Sequence, residues 1–206
     1  MNIVVFGSTG SVGTHIVKQA LEKGFQVRAF TRRPEKLAPQ ARLEVFKGDL
    51  MDRQAVEKAV SNQDAVLCAI GDGGKGGIRA LGTRHIIDAM QTVGIRRIIC
   101  ETTLGLGESK GNLNFFWKYI MFGLLLKKAF NDHKLQEEYL FKSNLDYTIV
   151  RPAAFSDGAQ TANFKVGFDG NAKGLSLKIA RADVAGFMLR ELETGQYVKK
   201  PVSISN

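Results

Sequence analysis

The stretch Asn2-Ile3-Val4-Val5-Phe6-Gly7-Ser8-Thr9-Gly10-Ser11-Val12-Gly13 decides the fold. Four consecutive apolar residues make a short strand of the kind that is buried on both faces of a parallel sheet. The glycines that follow are spaced G-x-x-G-x-x-G, and a helical period opens directly behind them, at about Val12–Lys23. In such a turn Gly7 permits the tight bend, Gly10 lets backbone amides approach a pyrophosphate, and Gly13 lets the helix pack closely on the strand. Ser8, Thr9, Ser11 and Val12 fill the positions between. The free N–H groups and partial positive charge of the helix N-terminus suit phosphates. The reading is a dinucleotide site, with an ordinary strand–helix turn as the alternative.

Outward from this turn, apolar runs alternate with helical patterns. Strands are expected at Asn2–Phe6, Gln26–Thr31, Arg42–Lys47, Ala65–Ala69, Arg96–Glu101 and Tyr147–Val150. Helices are expected at about Val12–Lys23, Arg53–Val60, Ile78–Val93, Asp132–Lys142 and Arg181–Glu193. Alternation of this kind predicts an α/β fold: a single-domain, Rossmann-like, doubly wound parallel sheet with right-handed crossovers. Residues 1–206 read as one domain, with the part from about residue 153 forming a small C-terminal lobe on the substrate side.

The end of the second strand selects the nucleotide. NAD sites place an acid there, about 20 residues on, to hold the ribose hydroxyls. Here Thr31-Arg32-Arg33 stands in that window without an acid. A guanidinium fork matches a 2′-phosphate, so NADP(H) is the expected cofactor, with Thr31 adding a hydroxyl. Solvated loop charges are the bland alternative. Asp49 and Leu50 follow the third strand, where Asp49 is placed to accept from an adenine amino group. Ala69, Ile70 and Gly71 follow the fourth and are expected to touch the cofactor. The glycines from Gly73 to Gly77 suit either close approach to it or a mobile loop.

Composition bounds the rest. With 44% hydrophobic and 24% charged residues the chain has the makings of an ordinary globular core. The net charge is +9, but the 29 Lys and Arg residues are scattered, which favours anionic small ligands over nucleic acid. Cys68 and Cys100 lie in apolar runs and read as buried reduced thiols. With no secretion signal at the N-terminus, a cytoplasmic monomer is expected. There is no C-x-x-C or Cys/His cluster, so no metal is expected. Residues 113–130 are strongly apolar, yet Lys118 interrupts a run too short to span a bilayer. They read as a wall beside a ligand pocket, a core helix, or a segment lying on a membrane surface.

At these motifs the chain resembles the atypical short-chain dehydrogenase/reductases of the NAD(P)H-binding, NmrA-like branch. Gly7–Gly13, Arg32, Gly48-Asp49, Asp64-Ala65-Val66 and Leu145–Pro152 carry the likeness, which covers nearly the whole chain. Asn131-Asp132-His133, Val166–Gly170 and Asp183–Arg190 align it most with the flavin reductase and biliverdin reductase B type within that branch. The resemblance implies NADPH-dependent reduction of FMN, FAD or a linear tetrapyrrole such as biliverdin. It also implies hydroxyls of Thr102 and Thr103 beside nicotinamide and substrate, His133 near the pocket, and Arg151-Pro152 at the nicotinamide end.

The chemistry of the residues points the same way. The Tyr-x-x-x-Lys pair of carbonyl reductases is matched only by Tyr139–Lys142, one residue short, so Tyr139 reads as structural. Flavin reduction asks less: hydride passes between stacked rings if the protein positions them and excludes some water. Phe115 and Trp117 suit the wall of such a pocket. His133 is a candidate proton donor or cofactor contact, or else a surface histidine. Relatives often carry a histidine where this chain has Ala154, placed in the substrate site; that departure weakens biliverdin reduction. The competing readings are a non-catalytic NADP(H)-sensing regulator that binds a protein partner, and a quinone or sugar-nucleotide enzyme.

Overall fold

Ile3, Val4, Val5 and Phe6 are entirely buried, so the strand they form, β1 (Asn2–Phe6), is covered on both faces. The computed structural model describes residues 1–72 and 74–206; Gly73, part of the predicted glycine-rich loop, lies outside the described residues. On one side of β1 come β2 (Gln26–Thr31) and then β3 (Leu43–Lys47). On the other come β4 (Ala65–Cys68), β5 (Arg97–Glu101), β6 (Asp146–Pro152), β10 (Lys200–Ser205) and β8 (Lys165–Val166). All neighbours are parallel except β8, which runs antiparallel to β10. This is the expected doubly wound parallel sheet. Its strand order reverses between β1 and β4, which opens a crevice at the carboxyl ends of those strands.

Helices α1 (Gly13–Glu22) and α5 (Arg181–Thr194) cover one face, where Ile16, Val17, Ala20 and Leu21 meet Val184, Phe187 and Met188 in a shared core. On the other face lie α2 (Arg53–Val60), α3 (Ile78–Val93) and α4 (Lys127–Lys142). Asp52 caps α2 by accepting from the amides of Gln54 and Ala55 at 3.0 and 3.1 Å. The start of α3 is capped from outside: the Asp132 carboxylate on α4 accepts from the amides of Arg79 and Ala80 at 3.1 and 3.0 Å. Asp132 therefore ties two helices together at the edge of the crevice.

The chain after Pro152 divides between two tasks. The strands β7 (Ala154–Ser156) and β9 (Lys178–Ala180) pair in a separate small sheet, while α5 and β10 complete the main layers. Ahead of α4, residues Phe116–Leu125 wind as a π-helix none of whose residues is buried. The apolar 113–130 segment is thus largely a surface feature and not a core helix. Among the described residues no helix is long and apolar enough to cross a membrane.

Candidate active site

The glycine turn is built by close approach. A Cβ on Gly7, whose φ is +83°, would stand 2.1 Å from the Ala69 carbonyl oxygen, and one on Gly13 would stand 2.0 Å from the Gly7 oxygen. Only glycine fits there. The first turn of α1 has neither a side-chain cap nor an acidic residue, which leaves its amides to an anionic ligand. Beside it runs a narrow cleft of about 190 Å³, lined by Gly7, Thr9, Gly10, Phe30, Thr31, Arg32, Arg33, Gly48, Asp49, Leu50, Met51, Ile70, Gly71 and Ile78. The Thr9 and Thr31 hydroxyls are 3.2 Å apart, and Thr31 also accepts from the Arg33 amide at 3.0 Å. Asp49 accepts from the Met51 amide at 2.9 Å and is itself exposed.

A wider cavity of about 470 Å³ shares Gly10, Ile70 and Gly71 with that cleft, so the two are parts of one crevice. Ser11, Val12, Ala69, Thr102, Thr103, His133, Pro152 and Ala154 line it. Its apolar walls include Leu113, Trp117, Phe122, Leu126, Phe155 and Leu177. Glu101, Arg79 and Arg181 also line it, and each has a buried atom without a hydrogen-bond partner among the described residues: Glu101 Oε2, Arg79 Nε and Arg181 Nε. Burial raises the Glu101 carboxyl to about 8, against the opposing pull of Arg79 and Arg181. At neutral pH Glu101 is therefore mostly a carboxylic acid, in a cavity whose walls are apolar apart from the two arginines, the threonines and His133.

Thr102 and Thr103 differ. The Thr102 hydroxyl is buried and donates to Glu137 Oε1 at 2.8 Å, whereas Thr103 is half-buried and bonds only the Leu104 carbonyl, at 3.3 Å. His133 bonds Gln136 Oε1 through Nδ1 at 3.0 Å. The Gln136 amide nitrogen is committed to Thr83 and Cys100, so its oxygen accepts and His133 Nδ1 carries the hydrogen. Burial, reinforced by Arg79, lowers His133 to about 4. It is neutral at physiological pH.

The model of the NAD(P)H-binding family matches residues 7–194. The chain belongs to the NAD(P)H-binding family. Within it the fold is of the atypical short-chain dehydrogenase/reductase, NmrA-like type. This NAD(P)H-binding protein is similar to ChuY, an anaerobillin reductase from Escherichia coli O157:H7, with 28% identity, a TM-score of 0.83, and coverage of 99% of this chain and 96% of that one. It shares its fold with a wide-type short-chain dehydrogenase/reductase from Veillonella parvula in complex with NADP, at 18% identity and a TM-score of 0.85 over 100% of this chain and 94% of that one. Protein TIC 62 of Arabidopsis thaliana is 29% identical over 180 residues, 73% of this chain and 26% of that protein. The chain spans between 26% and 61% of the length of the first curated relatives it matches.

Several sequence-based assignments are corrected by the geometry of this NAD(P)H-binding protein. Arg151 does not reach the crevice: it is 2% exposed, donates to both Glu137 oxygens at 2.9 and 2.7 Å and to Glu108 at 2.7 Å. Ser8 is buried with its hydroxyl given to the Phe30 carbonyl at 2.9 Å, so it braces the turn and its side chain lines neither space. Phe115 is 71% exposed and points away from the cavity that Trp117 lines. His133 does line the cavity, where burial holds its imidazole down at about 4. Tyr139, read as structural from the sequence, packs against the core on the α2–α4 face under the Arg84 guanidinium. The residues that sequence reasoning missed include Glu101, Arg79 and Arg181; Glu101 is the one with a chemical role in the reading below. The only signal for it was an acid ending the apolar run Ile98-Ile99-Cys100.

Proposed function

We propose that the chain is an NADPH-dependent reductase that delivers hydride to a flat conjugated acceptor, a flavin or a linear tetrapyrrole. The observation that carries this reading is one crevice in two parts: a narrow cleft suited to a dinucleotide opens directly into a wider cavity with apolar walls, lined also by Glu101, Arg79 and Arg181. Arg32 and Arg33, with no acid replacing them at the end of β2, favour the 2′-phosphate of NADPH over the free hydroxyl of NADH. The helix amides of Ser11, Val12 and Gly13 suit the pyrophosphate, and Asp49 the adenine end.

Bound NADPH supplies the hydride. The chain supplies shape, dryness and a proton. Trp117, Phe122, Leu126 and Phe155 offer apolar faces against which a planar ring stacks, and they keep water from it. Glu101 gives its proton to the acceptor heteroatom that gains charge as the hydride arrives, and regains one from water afterwards. The acceptor thus gains one hydride and one proton. Thr103 orients the acceptor, and Thr102 holds the end of β5 in register through Glu137. Arg181, whose partner Asp157 is exposed, suits an acceptor bearing carboxylates or a phosphate, as biliverdin and FMN do, whereas Arg79 is already paired with Asp72 and Asp132. The resemblance to an anaerobillin reductase supports a tetrapyrrole, while Ala154 in the cavity favours a flavin.

The test is anaerobic oxidation of NADPH with FMN, FAD, biliverdin and a quinone as separate acceptors. Turnover with a flavin or biliverdin is expected. Firm NADPH binding without turnover of any of them would favour a nucleotide-sensing regulator instead.

A further inference from the structure

Half of the exposed large hydrophobic side chains among the described residues fall within eleven positions: Phe115, Phe116, Tyr119, Ile120, Leu124 and Leu125, between 39% and 73% exposed. The π-helical winding explains the sorting. Bonds that reach five residues back, such as Leu126 N–H to the Met121 carbonyl at 2.6 Å, put Phe115, Ile120 and Leu125 on the outer side with Tyr119 and Leu124. Trp117, Phe122 and Leu126 are left facing the cavity. A patch of this kind on a chain of this size marks an interaction surface.

Its charge says what the partner is. From Ser109 to Asn131 the sequence carries Lys110, Lys118, Lys127 and Lys128 and no acidic residue. Among the described residues none of these lysines forms an ion pair. A second copy docking here across a two-fold axis would set the same lysines against themselves. An anionic lipid surface instead pairs with every lysine, takes the leucines below the headgroups, and holds Phe and Tyr at the depth where aromatic rings prefer to lie. We propose that residues 115–128 form an interfacial anchor that seats the protein on an anionic bilayer surface. The segment lies on the membrane and does not cross it. The back of the same helix walls the cavity, so docking sets the acceptor cavity beside the lipid surface. The anchoring stands whether or not the chain turns over a flavin.

Trp117 is the only tryptophan, which makes its emission a reporter of the segment. The full chain would be mixed with vesicles of phosphatidylcholine, with and without phosphatidylglycerol, and binding read by flotation and by the change in Trp117 emission. At least about tenfold stronger partition onto the anionic vesicles is expected, weakening with salt, since each lysine contributes roughly fivefold. Leu124→Ser/Leu125→Ser and Lys127→Glu/Lys128→Glu should each lose about tenfold or more of the partition, with circular dichroism and NADPH binding retained. Equal binding to both vesicles, unchanged binding by both variants, or a concentration-dependent dimer without vesicle binding would overturn the proposal.

Discussion

The Thr9 and Thr31 hydroxyls, twenty-two residues apart in sequence, meet at 3.2 Å and join the glycine turn to the end of β2. Thr31 also accepts from the Arg33 amide, so one buried side chain fixes the turn for the pyrophosphate and the loop that presents Arg32 and Arg33. A charge-assisted bond from guanidinium to phosphate is worth about 1.5–3 kcal/mol. Arg32→Ala should therefore raise KM for NADPH by about tenfold or more while changing KM for NADH less than about threefold. Equal loss for both nucleotides would contradict the 2′-phosphate assignment. Thr31→Val should act in the same direction, more weakly.

Glu101 makes a prediction in pH. If it is the proton donor, Glu101→Gln should lower kcat by about a hundredfold, the low end for general acid catalysis. The wild-type rate should fall as pH rises through about 8, and the Gln variant should show no such fall. Stability follows the same group. Its folded carboxyl holds the proton up to about 8 against an ordinary value of 4.5, so its contribution is complete below pH 4.5 and is lost as pH rises through about 8. Denaturant midpoints measured across that window should decline in the wild type and stay level in Glu101→Gln.

Arg151 and Glu137 form a buried pair, 2% and 3% exposed. Removing one partner strands the other charge, which typically costs about 3–5 kcal/mol. Arg151→Met should lose about that much stability in urea melts, and the double variant Arg151→Met/Glu137→Leu should recover part of it. NADPH affinity should stay within about twofold in the single variant. A large selective loss of NADPH binding would return Arg151 to the cofactor site.

The main sheet was legible because continuous apolar runs and glycine spacing are local signals. The strand β10 escaped because Lys200-Pro201-Val202-Ser203-Ile204-Ser205 contains a proline and two serines. Its register explains how that is tolerated: β8 pairs only with Ile204 and Ser205, leaving the side of the strand at Pro201 without a ladder partner there. In the site, Arg32, Asp49, Ile70 and Thr103 line the crevice from positions set by strand ends, which the sequence displays. Arg151 also ends a strand, but its destination depends on Glu137 and Glu108, brought in from other elements. Glu101 acquires its proton from burial by segments far along the chain, and no local pattern encodes that. Phe115 and Trp117, two residues apart, fall on opposite sides of a helix and cannot both wall one cavity.

Direct hydride transfer within one crevice is read by anaerobic single-turnover mixing of the protein and FMN with NADPH. Nicotinamide absorbance and flavin colour should disappear together in one phase, slowed when deuterium replaces the transferable hydrogen of NADPH. Nicotinamide oxidation that is absent, or that proceeds at the rate of the protein-free mixture, would contradict it.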